Sequence, residues 1–219
     1  MDPNDTPVNP AADDGAEWTR ARCEALDSAD PFAAHRAAFR LPSGVIYLDG
    51  NSLGPLPAGT EARVAETIGR EWGDGLIGSW NSAGWIDLPQ RVGAKIATLV
   101  GAHPDEVVVA DSTSVNLFKV LAAALRLRPG RRTILSERGN FPTDLYTAQG
   151  LIGLLGQGYR LELVERDSIV QALAPDGLGA DVAVAMLTQV DYRTGSLLDM
   201  ADVTARAHAA GALTVWDLA

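Results

Sequence analysis

Residues 181–217, DVAVAMLTQVDYRTGSLLDMADVTARAHAAGALTVWD, decide the fold class. An apolar run without alternation (181–187) leads through a polar loop into a helical pattern (199–210) and then a second apolar run (212–217). Strands buried on both faces lose the polar–apolar alternation of half-exposed ones. Helices set between such strands mark a mainly parallel sheet covered on both sides. The same alternation extends upstream through a helix over 89–100, the run Glu106-Val-Val-Val-Ala110, a helix over 114–127, a strand over 132–136, a helix over 143–155, a strand over 159–164 and a helix over 167–174. An α/β fold is therefore expected from residue 89 onward.

Ahead of it, Val45-Ile-Tyr-Leu48 reads as a short strand and Asp49-Gly-Asn-Ser-Leu-Gly-Pro55 as turn chemistry, with a helix following over 58–72. Residues 17–40 form one or two helices, broken at Asp27-Ser28 and at Asp30-Pro31, because a residue before proline disfavours helical geometry. The expected organisation is a disordered acidic tail over 1–16, an N-terminal helical arm and small-domain segment over 17–88, and the first part of a large domain over 89–219. The run ending at Asp217 reads as a central strand, and a complete domain rarely ends on one, so the chain is expected to be part of a longer protein.

The chain has 219 residues, 47% of them hydrophobic, which is enough to bury a core. Its formal charge is −10, but the first 17 residues hold five acids (Asp2, Asp5, Asp13, Asp14, Glu17) and no base. No cluster of Lys and Arg offers a track for phosphate backbones, so nucleic acid is not an expected partner. Cys23 is the single cysteine, which excludes an internal disulfide. The start lacks a secretion signal and the apolar runs are too short to span a bilayer, so a soluble cytoplasmic protein without membrane contact is expected. No metal-ligand pattern stands out. The basic residues comprise just two lysines, Lys95 and Lys119, against 16 arginines.

In open α/β sheets ligands sit beyond the carboxyl ends of the strands, so the residues that follow each strand are the candidates. After residue 110 comes Asp111-Ser-Thr-Ser-Val-Asn116, opening a helix: a phosphate cradle, or simply the N-cap that any helix needs. After 136 comes Asn140-Phe-Pro-Thr-Asp144, which could stack on a flat ring and hydrogen-bond it, or could be a loop with a capping acid. After 187 comes Thr188-Gln-Val-Asp-Tyr-Arg-Thr-Gly195, a hydroxyl contact or a polar turn. Asp217 tips the last run, where a buried carboxylate needs a cation or else serves as a cap. Taken in order on successive strands, the set describes a site for a planar, phosphorylated, cationic heterocycle. The glycine fingerprint of a dinucleotide-binding domain is absent.

Tyr47-Leu-Asp-Gly-Asn-Ser-Leu-Gly-Pro55, Ser79-Trp-Asn81 with Gly84-Trp85, Asp111-Ser-Thr-Ser-Val-Asn-Leu117, Asn140-Phe-Pro-Thr-Asp144 and Val215-Trp-Asp-Leu-Ala219 resemble the bacterial kynureninases. These enzymes depend on pyridoxal 5'-phosphate (PLP). The resemblance runs from about residue 17 to the last residue. It implies the three-layer PLP-dependent transferase-like large domain of fold type I, class V aminotransferase-like, cut before the lysine that forms the Schiff base. It implies hydrolysis of L-kynurenine, or of its 3-hydroxy form, to anthranilate and L-alanine in tryptophan catabolism, by a homodimer. Carried over by position, Thr113 and Ser114 hold the cofactor phosphate. Phe141 stacks on the pyridine ring, Pro142 and Thr143 shape its pocket, and Asp144 bonds near the ring oxygen. Thr188 touches the ring or its hydroxyl, and Asp217 is the catalytic partner of the pyridinium nitrogen. Asn51, Ser52 and Trp80 face the substrate.

In the family a histidine follows the Asp-Leu-Ala motif, and the lysine follows later within a Tyr-Lys pair. Neither is among these residues, so the chain by itself is expected to be inactive. Lys95 and Lys119 lie upstream inside helices and are poor substitutes. Two other functions compete. One is a cysteine desulfurase or another class V relative. Such enzymes usually stack a histidine on the ring, and here His35, His103 and His208 all lie elsewhere. The other is a non-catalytic remnant that acts as a binding or dimer partner.

Overall fold

A computed structural model describes residues 17–174 and 176–219, so the acidic tail expected over 1–16 lies outside the described residues. The chain divides into two compact units, Met1–Ala83 and Gly84–Ala219.

The first unit is built from short elements. Helix α1, Arg20–Ala29, starts on a Thr19 cap. It runs through Asp27-Ser28, where the Ser28 hydroxyl bonds back to the Glu24 carbonyl at 2.7 Å, and stops at Asp30 before Pro31. A 3-10 turn, Ala33–Ala38, leads to β1, Phe39–Arg40, which pairs antiparallel with β2, Leu56–Pro57. The expected strand over 45–48 is not formed. Those residues pair with no strand, and Ile46 and Leu48 stand exposed, because a strand needs a neighbour to take its ladder bonds. The expected helix over 58–72 is α2, Thr60–Glu66, which widens into a π-helical stretch, Thr67–Asp74. The short helix α3, Ser79–Ser82, carries Trp80.

The second unit opens with α4, Leu88–Val100, and α5, Thr113–Leu127. A four-stranded parallel sheet follows in the order β4-β3-β5-β6: β3 is Thr133–Glu137, β4 Arg160–Val164, β5 Val182–Thr188 and β6 Leu213–Asp217. Between the strands run α6 (Pro142–Leu155), a 3-10 turn (Arg166–Ser168) continuing into α7 (Ile169–Ala172), and α8 (Met200–Ala209). The expected strand over 106–110 is absent. Its valines face neither a partner strand nor a closed core, and Val108 and Val109 are exposed.

Each helix forms for a local reason. In α5 the Ser112 hydroxyl caps Val115, and Leu117, Leu121, Ala124 and Leu125 repeat at helical spacing to bury one face. In α6 proline occupies the first position, where no amide hydrogen is missed, and Asp144 sits in the positive first turn. Asp199 caps α8 through Asp202 at 2.9 Å. The sheet is buried on both sides. Leu121, Leu125, Ile134, Leu151 and Met186 pack on the α5–α6 side, and Leu135, Leu173, Leu187, Val203 and Ala207 on the α7–α8 side.

At the amino edge of the sheet, Arg131 donates to the carbonyls of Gly179 (2.9 Å), Val182 (2.8 Å) and Ala210 (2.8 Å), and Arg128 to that of Gly211 (2.8 Å). Helix α4 approaches residues 107–108 so closely at Gly93 that a Cβ there would overlap the Val107 carbonyl and lie 3.1 Å from the Val108 Cα. Backbone cannot swing aside as a side chain can. Gly93→Ala is therefore expected to destabilise the unit by roughly 1–3 kcal/mol, despite the better helix propensity of alanine. Urea unfolding checks this, and an unchanged or raised midpoint would refute the close approach.

Candidate cofactor site

The carboxyl ends of β3, β5 and β6 and the amino ends of α5 and α6 meet along one edge of the second unit, as the parallel topology requires. Thr188 and Asp217 are register partners at the tips of β5 and β6. Phe141 immediately precedes α6, Pro142 is its first residue, and Asp144 is in its first turn, 2% exposed. The Asp144 Oδ2 atom has no hydrogen-bond partner although it is buried. Its carboxyl is pushed from 3.8 up to about 7, first by burial, then by the charge of Asp217 and a hydrogen bond shared with it. Two carboxyls, one in the first turn of α6 and one at the tip of β6, thus face one another with no cation between them among the described residues. Asp217 also accepts from the Ala219 amide at 2.8 Å.

The ring of Phe141 is half exposed, and Tyr192 meets it edge-on with centroids 5.3 Å apart and planes at 77°. Tyr192 is held by a turn in which Asp191 accepts from the amides of Arg193 (2.8 Å) and Thr194 (2.9 Å). Arg193, hydrogen-bonded to the Asp191 carboxyl, holds that carboxyl far below its usual range. Thr113 and Ser114 are the first two residues of α5, where amide groups have no partner within the helix. Asp111, in left-handed backbone with φ 41°, turns the chain into α5 and forms an ion pair with Lys119. Lys95 is exposed on α4.

Behind these tips lies a buried pair that spacing alone did not suggest. Glu137, at the end of β3, is 2% exposed and receives Arg166 at 2.7 and 2.8 Å. The same guanidinium donates to the carbonyls of Gln189 (2.7 Å) and Ser196 (3.0 Å), and so fixes the loop that leaves β5. Tyr192 was within a quoted loop, yet its contact with Phe141 has no periodic signature. Arg166, directly after a strand, was the one available signal for the ion pair.

Thr113, Ser114, Phe141, Pro142, Thr143, Asp144, Thr188 and Asp217 thus all belong to the second unit. Asn51, Ser52 and Trp80 belong to the first: Asn51 and Ser52 are in an exposed turn closed by the Ser52 amide on the Asp49 carbonyl at 3.2 Å, and Trp80 is 47% exposed.

No family model matches the chain. A curated kynureninase from Pseudomonas fluorescens is 54% identical over 205 residues, which are 92% of this chain and 48% of that protein. One from Burkholderia mallei strain SAVP1 matches at 54% over the same shares, and one from Burkholderia pseudomallei strain K96243 at 53%. Its sequence relatives are kynureninases. The chain spans about half the length of the kynureninases it matches. Solved structures place the fold among PLP-dependent transferases of fold type I, as expected. An apo cysteine desulfurase from Thermococcus onnurineus aligns with a TM-score of 0.64 at 18% identity, covering 85% of this chain and 47% of that one. A C-DES variant with glycine covalently linked to its PLP aligns with a TM-score of 0.63 at 17% identity, covering 83% and 47%. Kynureninase likeness is thus carried by sequence, and the structural likeness shows the fold alone. Among the described residues no helix is long and apolar enough to cross a membrane.

Proposed function

We propose that these residues form the cofactor-cradling part of a kynureninase, a PLP-dependent hydrolase that cleaves L-kynurenine to anthranilate and L-alanine in tryptophan catabolism. What carries the proposal is the Asp144–Asp217 pair with its unpartnered buried oxygen. A helix-start carboxyl and a strand-tip carboxyl are short of a cation, and a protonated pyridine nitrogen is one that fits. When bound, PLP supplies an electron sink for carbanion character at the substrate.

The chain's own residues bind and orient. Asp217, with Asp144 beside it, keeps a proton on the ring nitrogen. In this reading Asp144 lies nearer the nitrogen than the ring oxygen that the family resemblance implied. Phe141 covers one ring face, backed by Tyr192, and Pro142 and Thr143 form the rim. Thr113 and Ser114 hold the phosphate at the positive end of α5. Thr188 meets a ring substituent, and Asn51, Ser52 and Trp80 take the substrate. Lys119 is engaged by Asp111 and Lys95 stands exposed, so neither serves as the covalent anchor, and the 219 residues alone bind PLP without turning over kynurenine. The working enzyme is a cytoplasmic homodimer.

The test is anthranilate fluorescence from the natural full-length gene product supplied with L-kynurenine. Asp217→Ala is expected to cut turnover on the order of a hundredfold or more while some PLP is retained through the phosphate site. Near-normal turnover in that variant would remove Asp217 from the ring nitrogen. Sulfide from L-cysteine in place of anthranilate would instead favour a desulfurase.

A further inference from the structure

Asn140 is 4% exposed, and both polar atoms of its side chain have hydrogen-bond partners. The Phe141 amide lies 2.7 Å from one amide atom of Asn140, and a backbone N–H can only donate, so that atom is the oxygen Oδ1. Asn140 Nδ2 then faces the Ser136 hydroxyl at 3.1 Å. Ser136 spends its single proton on the Met186 carbonyl at 2.7 Å, and so accepts from Asn140. The remaining neighbour of Oδ1 is the Thr188 hydroxyl at 2.5 Å. Because Oδ1 only accepts, Thr188 must give it its one proton. What Thr188 has left for any third group is a lone pair.

We propose that Asn140 is a positioning residue that sets the hydrogen-bond polarity of Thr188, so that Thr188 presents to the cofactor's ring hydroxyl an acceptor and never a donor. The inference rests on the cofactor reading above. A hydrogen bond to the neutral form of an acid disfavours its ionisation. Thr188 held in this way favours the protonated ring hydroxyl, whereas a free threonine hydroxyl could turn and donate to the ionised oxygen. The same Oδ1 anchors the Phe141 amide, so one buried amide aligns the ring-stacking residue and the acceptor together.

The probe is pyridoxine 5'-phosphate, which keeps the ring hydroxyl but has no aldehyde to react with a lysine. Its near-ultraviolet band, followed against pH when bound to the 219-residue chain, reports ionisation of the ring hydroxyl. Asn140→Ala is expected to lower that titration by about one pH unit, the scale of a single hydrogen bond. In a Thr188→Val background the same change should produce no further shift, while Thr188→Ser should titrate as the parent does. Asn140→Asp, which still accepts from Thr188, must not lower it, and this variant guards against poor folding of the alanine form. A shift that is absent, or equally large with valine at 188, overturns the inference.

A ligand-free double-mutant cycle in urea runs alongside. Each single change should raise the unfolding constant about tenfold, and the pair clearly less than the product, because the two partners share one bond. Additive changes overturn the inference whatever the probe does. Failure of the parent chain to bind the probe, with a non-additive cycle, would sink the cofactor reading and the role of Thr188 toward it, but retain the Asn140–Thr188 bond.

Discussion

Without ligand, Asp144→Asn is expected to melt well above the parent chain near pH 8 and to come level with it only as the pH falls to about 3.8. The Asp144 carboxyl is raised from 3.8 to about 7 by burial and by Asp217 beside it. Between those values the folded chain keeps a proton that the unfolded chain gives up. The folded state then binds more protons, so stability falls as pH rises across the window. Each pH unit is worth about 1.4 kcal/mol, so the penalty above neutrality approaches roughly 4 kcal/mol as an upper bound, carried by the pair rather than by either acid. Asparagine keeps the shape and never ionises, so the variant should lose most of this slope. Thermal melts at several pH values decide the matter: parallel curves for parent and variant would show that the two carboxyls do not share a buried proton.

Arg166→Ala is expected to cost about 3–5 kcal/mol, a large part of the 5–15 kcal/mol that holds a typical domain together. Glu137 would be left as a buried charge without its cation, and the carbonyls of Gln189 and Ser196 would lose their donor. Lysine should rescue little, since one ammonium cannot span a carboxylate and two separate carbonyls as a planar guanidinium does. Replacing both partners together, Glu137→Met with Arg166→Met, should restore much of the loss, because the desolvation penalty vanishes with both charges. Urea denaturation of the parent, Glu137→Met, Arg166→Met and the double variant gives the cycle. A small loss for Arg166→Ala alone, within the range of surface pairs, would mean that water reaches Glu137.

The sequence was legible where burial is continuous. The apolar runs that became β3 to β6 have partners on both sides or a helix over each face, so composition alone located them. Glu106–Ala110 and Val45–Leu48 have the same composition and failed as strands, because pairing is supplied by other parts of a fold and not by the run itself. Thr188 and Asp217 could be singled out by being last on their strands. That Asp144 would lie against Asp217 could not, since the two are distant in the chain and meet only when the first turn of α6 comes to the tip of β6. Asn140 was visible as a polar residue after a strand, yet its value lies in the direction of its hydrogen bonds, which only neighbours determine.

Arg131 ties together the amino ends of the sheet, opposite the candidate site. Three carbonyls from two chain segments, the entry to β5 and the end of α8, share one guanidinium carried by a third, so none of these can open without breaking bonds to another. Amide deuterium uptake should accordingly be slow at that edge, where opening one segment breaks bonds to another. The edge away from the candidate site is thus locked as one unit, and a ligand could come and go at the opposite edge without disturbing it.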